Sequence, residues 1–165
     1  LRDRNIPERN IFFNVADLQS TKPNNIVPDF ASAKIGVRVS NQEEIDIVKN
    51  ILAEVEADTL IEGTTSKFTI YNFSYPMDRT PGNVKLYELV KKAAAITGQE
   101  KFPEQASGGS GDAGWFSFKG IPCVDALGPY MHLIHNTGEN GKVSSVAEKT
   151  ALFCVVLGII DSEWE

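Results

Sequence analysis

An α+β half followed by an α/β half is the fold this 165-residue sequence predicts. Three observations carry that expectation. The hydrophobic period switches from 2 to 3.6 and back to 2 across residues 10–75, which spells strand, strand, helix, strand. A break rich in turn residues, Pro76-Met77-Asp78-Arg79-Thr80-Pro81-Gly82, then interrupts the chain. Beyond it, helix, Gly-rich loop, apolar strand, loop and apolar helix follow one another, the order of an α/β layered domain.

The elements follow in chain order. Residues 1–9 are polar and read as a loop. Between Asn10 and Leu18, apolar residues stand on both alternating faces, predicting a strand buried on both sides. Thr21-Lys22-Pro23-Asn24-Asn25 is a turn cluster. Ala33, Ile35, Val37 and Val39 alternate with Lys34, Gly36 and Arg38, giving a strand with one apolar and one polar face. Ser40 and Glu43 have the spacing of a capping box. The stripe Ile45, Val48, Leu52 and Val55 behind them predicts a helix that ends near Asp58. The β-rich run Lys67–Tyr75 predicts a third strand, making β-β-α-β with the helix over one face.

In the second half, Thr80 caps a helix with Pro81 at its first position, and Gly98 stops it. Ala106–Gly114 is a Gly-rich loop, and Ile121–Leu127 a short apolar strand ended by Gly128-Pro129. Ser145 and Glu148 form a second capping-box spacing. The helix they open runs through Ala151–Ile160, apolar almost all round, as an interior helix would be.

Composition narrows the function classes. Acids outnumber bases 22 to 16, a net charge of −6, which argues against binding a nucleic-acid backbone. The last 60 residues hold 3 bases and 7 acids, so the negative charge is concentrated there. The longest apolar run is about half of the ~20 residues a membrane helix needs, so no membrane partner is expected. Cys123 and Cys154, 31 positions apart in apolar runs, read as two buried thiols in a reducing, cytoplasmic compartment. Leu1-Arg2-Asp3-Arg4 has no apolar h-region, so no signal peptide is expected; a polar start without Met predicts a piece of something longer.

Several motifs carry possible chemistry. Gly109-Ser110-Gly111-Asp112-Ala113-Gly114 matches GxGxxG, but no apolar strand precedes it and Asp125 comes too early for the ribose-binding acid. A plain loop, or a loop whose backbone amides approach a small anion, stands against the nucleotide reading. Ser110 as a nucleophile with His135 and Asp125 is outweighed, because Asp112 breaks the GxSxG elbow. The two histidines, His132 and His135, follow the apolar strand, where α/β proteins place ligands. His135 with Glu139 four residues on suits zinc, although a structural role is the commoner fate of a lone histidine.

Taken in order, Asn25-Ile26-Val27-Pro28-Asp29, Gly36-Val37-Arg38-Val39, Gly108-Gly109-Ser110-Gly111-Asp112-Ala113, Gly120-Ile121-Pro122, Leu127-Gly128-Pro129 and His135 with Glu139 form a pattern. It resembles the co-catalytic zinc metallopeptidases of the glutamate carboxypeptidase, acetylornithine deacetylase and succinyl-diaminopimelate desuccinylase group, from about Asn10 to Ile160. The resemblance implies that residues 1–77 are the later part of a ferredoxin-like dimerisation (lid) domain. Residues 78–165 would then be the C-terminal part of an α/β zinc-peptidase catalytic domain. It implies His135 as one metal ligand, Asn25 and Arg38 as contacts to a substrate carboxylate or carbonyl, and Gly109, Ser110 and Gly111 as the lining of the substrate pocket. His132 matches no family role and reads as structural.

The parent enzyme implied is a homodimer joined through its lid, with two zinc ions that activate water to hydrolyse a small peptide or an N-acyl amino acid. The family's His-x-Asp ligands, its Glu-Glu pair and its lid histidine have no match here, so the chain alone is expected to be inactive. An interaction module, or a relative that has lost its zinc chemistry, is the rival expectation. Two departures from the pattern stand out: Ser110 and Gly111 are transposed, and Tyr75 stands where some members carry Arg.

Overall fold

The computed structural model describes residues 1–99 and 102–164. Among them the chain is mixed α+β, with four α-helices and two small antiparallel sheets. It divides into two compact units, Leu1–Pro76 and Met77–Glu165.

In the first unit, β1 (Phe12–Ser20) pairs antiparallel with β2 (Ala31–Arg38), from Phe12 opposite Arg38 to Ser20 opposite Ala31. The register slips between Ala16 and Gln19, where Asp17 takes a φ of 50°. The helix α1 (Gln42–Ala57) lays Ile51, with Ile47, Val48 and Leu52, against Ile11, Phe13, Ile35 and Val37. Its capping box sits one residue later than its sequence spacing predicts. Asn41 Oδ1 accepts from the Glu44 amide at 3.0 Å, and the buried Glu44 carboxylate accepts from the Ser40 amide at 2.5 Å. Glu43 instead pairs with Arg9 at 2.9 Å.

Three expectations for this unit are corrected. β1 is not buried on both sides: Leu18 is 77% exposed, and Phe12 and Val15 are half exposed. A two-stranded sheet with one helix over it covers one face only. Lys67–Tyr75 forms no strand, because β-propensity makes a strand only where a neighbouring ladder is there to pair with. The Phe68 amide meets the Glu56 carboxylate, and the Phe73 and Tyr75 rings stack edge to face at 4.7 Å. The β-β-α-β expectation thus becomes β-β-α followed by a segment outside any sheet. The N-terminus is not a loop throughout: single 3₁₀ turns at Arg2–Arg4 and Pro7–Arg9 and a bridge between Ile6 and Ile11 fold Leu1 and Ile6 onto the core.

The second unit opens with α2 (Pro81–Ile96), capped by Thr80 Oγ1 accepting from the Asn83 amide at 3.1 Å. It closes as a Schellman motif: Gly98, at φ 76°, donates to Ala95 O, and Gln99 donates to Ala94 O. A six-residue helix α3 (Ala113–Phe118) follows the Gly-rich loop, and β3 (Met131–His132) pairs with β4 (Asn140–Gly141) as a two-pair hairpin. The last helix, α4 (Ser144–Glu163), packs Leu152, Val156 and Ile159 against Val90, Ala93 and Ala94 of α2.

Here too the sequence expectation needs correcting. Ile121–Leu127 is not a strand; its Cys123 amide is taken instead by the Asn83 side chain at 2.7 Å. The second capping box does not form: the helix starts at Ser144, and the Ser145 hydroxyl donates to Lys142 O at 2.5 Å. α4 is not interior, since Phe153 and Leu157 are 52% and 54% exposed. Only the stripe Ser145, Lys149, Leu152, Val156, Ile159 is covered. The thiols are both free, with Cys154 exposed and Cys123 half-buried, so they are not the buried pair the sequence suggests. Desolvation, followed by the nearby Asp125 charge, pushes the Cys123 pKa up. Among the described residues no helix is long and apolar enough to cross a membrane.

Candidate functional site

The hairpin built by β3 and β4 carries His135 at its tip. Its turn is made locally: Asn136 donates to Leu133 O at 3.0 Å and Glu139 to Asn136 O at 2.9 Å. Leu133 and His135 both take positive φ, 52° and 65°, a conformation side chains with a Cβ adopt at a cost. What holds His135 there is Glu139, whose Oε2 accepts the His135 amide at 3.0 Å. The carboxylate four residues on therefore serves the backbone of His135. Both residues are exposed. His132 lies in the ladder opposite Asn140 and is likewise exposed.

The residues around His135 do not fit a complete zinc site. A catalytic zinc takes three protein ligands and a structural one four. Among the described residues no group of three His, Cys, Asp or Glu side chains stands close enough to hold a metal ion.

Gly109, Ser110 and Gly111 lie on the exposed loop before α3. Ser107 Oγ accepts the Gly109 amide at 3.1 Å, and the Trp115 amide donates to Asp112 O at 3.0 Å as α3 begins. A methyl group added at Gly111 would lie 2.5 Å from Asp125 Oδ2, so glycine there lets the loop pass close to that carboxylate. The same closeness weakens the anion-loop reading, because a carboxylate already stands beside the backbone an anion would approach. Nor is the loop a dinucleotide fingerprint: a helix follows it, but only coil precedes it.

Asn25 and Arg38 are far apart on one hairpin. Asn25 sits in the exposed turn that links β1 to β2, where Ile26 donates to Pro23 O at 3.1 Å. Arg38 is exposed at the opposite end of β2, across from Phe12. Eight strand residues put these ends roughly 23 Å apart. The structure does not bring the two side chains together.

Sequence reasoning missed two buried polar centres. Asn83 gathers the start of α2, Ser117 of α3 and the backbone of Asp78 and Cys123. Lys149, 7% exposed, directs its ammonium to Gln99 Oε1 at 3.0 Å and over the rings of Tyr130 and Phe102, at 4.6 and 4.8 Å. The signal for Lys149 was present: it falls four residues after Ser145 and three before Leu152, on the stripe that the 3.6 period turns inward.

No protein-family model matches the chain, and no curated protein matches it in sequence.

Proposed function

We propose that this chain is the later part of the lid domain and the last part of the catalytic domain of a co-catalytic zinc metallopeptidase of the glutamate carboxypeptidase and desuccinylase group. In this reading His135 is one metal ligand, and the parent enzyme is a cytoplasmic homodimer that hydrolyses the amide bond of a dipeptide or an N-acyl amino acid. Asn25, Arg38 and the Gly109–Gly111 loop contact its substrate. The order of the motifs supports the family. The observation that carries the site is the exposed hairpin tip at His135, where Glu139 fixes the backbone and the imidazole stays accessible.

One ligand is not a catalytic centre, so the chain by itself is inactive. Assays of the purified chain with N-acyl amino acids and dipeptides, with and without added zinc, check this. Zinc-dependent hydrolysis would sink the account of how the site is divided.

A second reading, an interaction module, is favoured by the surface. The chain exposes 12404 Å². Two independent globular units of these lengths would expose about 9,800 Å². The excess includes Phe12, Val15, Leu18, Val27 and Phe30 around the β1–β2 hairpin. Light scattering and zinc titration together separate the readings: an interaction module forms a discrete homodimer that is indifferent to zinc, whereas the metallopeptidase reading requires zinc to bind at His135.

A further inference from the structure

The hairpin that presents His135 has little of its own to hold it. Its ladder is two residue pairs long, Met131 with Gly141 and His132 with Asn140, and every residue from 131 to 141 is exposed. Isolated hairpins of longer ladders are only marginally stable in water. Its turn fixes its own local shape, but its placement on the unit comes from its base, residues 130 and 142.

That base is fixed from α4. The Lys142 amide donates to Tyr130 O at 3.0 Å and closes the hairpin. Ser145, fully buried, accepts the Tyr130 amide at 3.0 Å and donates to Lys142 O at 2.5 Å, so one hydroxyl ties both legs. One turn further along α4, the Lys149 ammonium sits between the rings of Tyr130 and Phe102. Gln99 Oε1 accepts from it, and Gln99 Nε2 donates to Thr97 Oγ1 and to Glu148 O. An ammonium shielded from water is drawn to an aromatic face more strongly than an exposed one, and Lys149 is buried.

We propose that Lys149 is a positioning residue: held by Gln99 and Phe102, it clamps the Tyr130 ring and thereby orders the 131–141 hairpin that presents His135. The functional consequence, though not the clamp itself, rests on the reading of His135 as a metal ligand. Lys149 touches neither substrate nor metal in this account.

The test compares backbone ¹⁵N order parameters in the wild-type chain and in Lys149→Met, Lys149→Arg, Tyr130→Phe and Tyr130→Leu. Met keeps the aliphatic stem without the charge, and Leu keeps an apolar body without the ring. Lys149→Met and Tyr130→Leu should drop residues 131–141 below about 0.6 while α2 and α4 stay near 0.85. Lys149→Arg and Tyr130→Phe, which keep cation and ring, should retain the wild-type order. Unchanged hairpin order in both Met and Leu variants overturns the proposal. So does a loss spread equally through α2 and α4, which is the mark of a plain core residue. If Lys149→Met fails to fold, the Tyr130 pair decides. Zinc-induced shifts at the His135 imidazole are read in the same wild-type sample; their absence counts against the ligand reading and leaves the clamp standing.

Discussion

Asn83 Nδ2 donates to Ser117 Oγ across 3.0 Å, and both side chains are buried. The other side of the same amide accepts the Cys123 backbone N–H at 2.7 Å, and Nδ2 also reaches Asp78 O at 2.6 Å. One side chain thus satisfies the Cys123 amide of a segment, 121–127, that has no ladder of its own. Replacing Asn83 with Leu should cost about 3 kcal/mol, because the Cys123 amide and the Ser117 hydroxyl lose their partner while still shielded from water. Ser117→Ala, which removes one partner, should cost about 1 kcal/mol. Urea unfolding of the two variants measures the difference, and equal costs would contradict the hub role of Asn83.

The cap of α2 is a local device and should behave as one. Thr80→Ala removes the acceptor for the Asn83 amide and should lower stability by about 1 kcal/mol, while Thr80→Ser leaves it nearly unchanged. A Ser variant as unstable as the Ala variant would show that the methyl group matters and the cap does not.

The two faces of α4 should respond differently to truncation. Leu152→Ala empties a fully buried position against α2 and should cost 2–5 kcal/mol, on the order found for buried leucines. Phe153→Ala, half exposed, should stay within about 0.5 kcal/mol in the isolated chain. Denaturant midpoints of the pair test whether the helix is covered on one side only.

Gly111 and Asp125 should be coupled. A Cβ at position 111 would stand 2.5 Å from Asp125 Oδ2, so Gly111→Ala must displace a carboxylate whose other oxygen accepts the Ala126 amide at 2.6 Å. Gly111→Ala should therefore destabilise the wild type more than it destabilises Asp125→Ala. A double-mutant cycle reads that difference, and strict additivity would deny the contact.

Acid should loosen the surface ion pairs in a known direction. Hydrogen bonds from Lys34 and then Gln19 hold the Asp17 carboxyl below its usual 3.8, and the Arg79 guanidinium does the same for Glu104 below 4.5. A folded-state pKa lower than the unfolded one stabilises above the unfolded value and is lost as pH falls through the folded value. Stability should decline modestly below about pH 4, because these pairs are exposed and screened. In Lys34→Met, the Asp17 carboxyl carbon should titrate at a higher pH by NMR; an unmoved midpoint would remove Lys34 as the cause.

What could be read from the sequence was local. Thr80-Pro81 and Gly98 mark the ends of α2 because caps and positive-φ stops depend on neighbours within a turn. Asn41 and Glu44 rather than Ser40 and Glu43 cap α1; adjacent candidates share one local pattern, and the fold buries Glu44 while Glu43 pairs with Arg9 from the distant N-terminus. The third strand failed for a non-local reason: Phe68, Ile70 and Tyr71 have the propensity, but pairing needs a partner that no local pattern specifies. The apolar run of α4 says what can be buried and not what covers it. Of the candidate site, the closeness of Glu139 to His135 follows from their lying within one turn, but that the carboxylate takes the His135 backbone amide does not follow from the spacing. The Lys149–Tyr130 contact spans 19 residues and joins an ammonium to a ring, a pairing that charge patterning does not reveal.

The proposal that His135 is a metal ligand has a direct test. Calorimetric titration of the purified chain with zinc, repeated on His135→Ala, tests that directly. The account predicts weak binding to the wild-type chain and none to the variant. Tight binding that survives the substitution would contradict it.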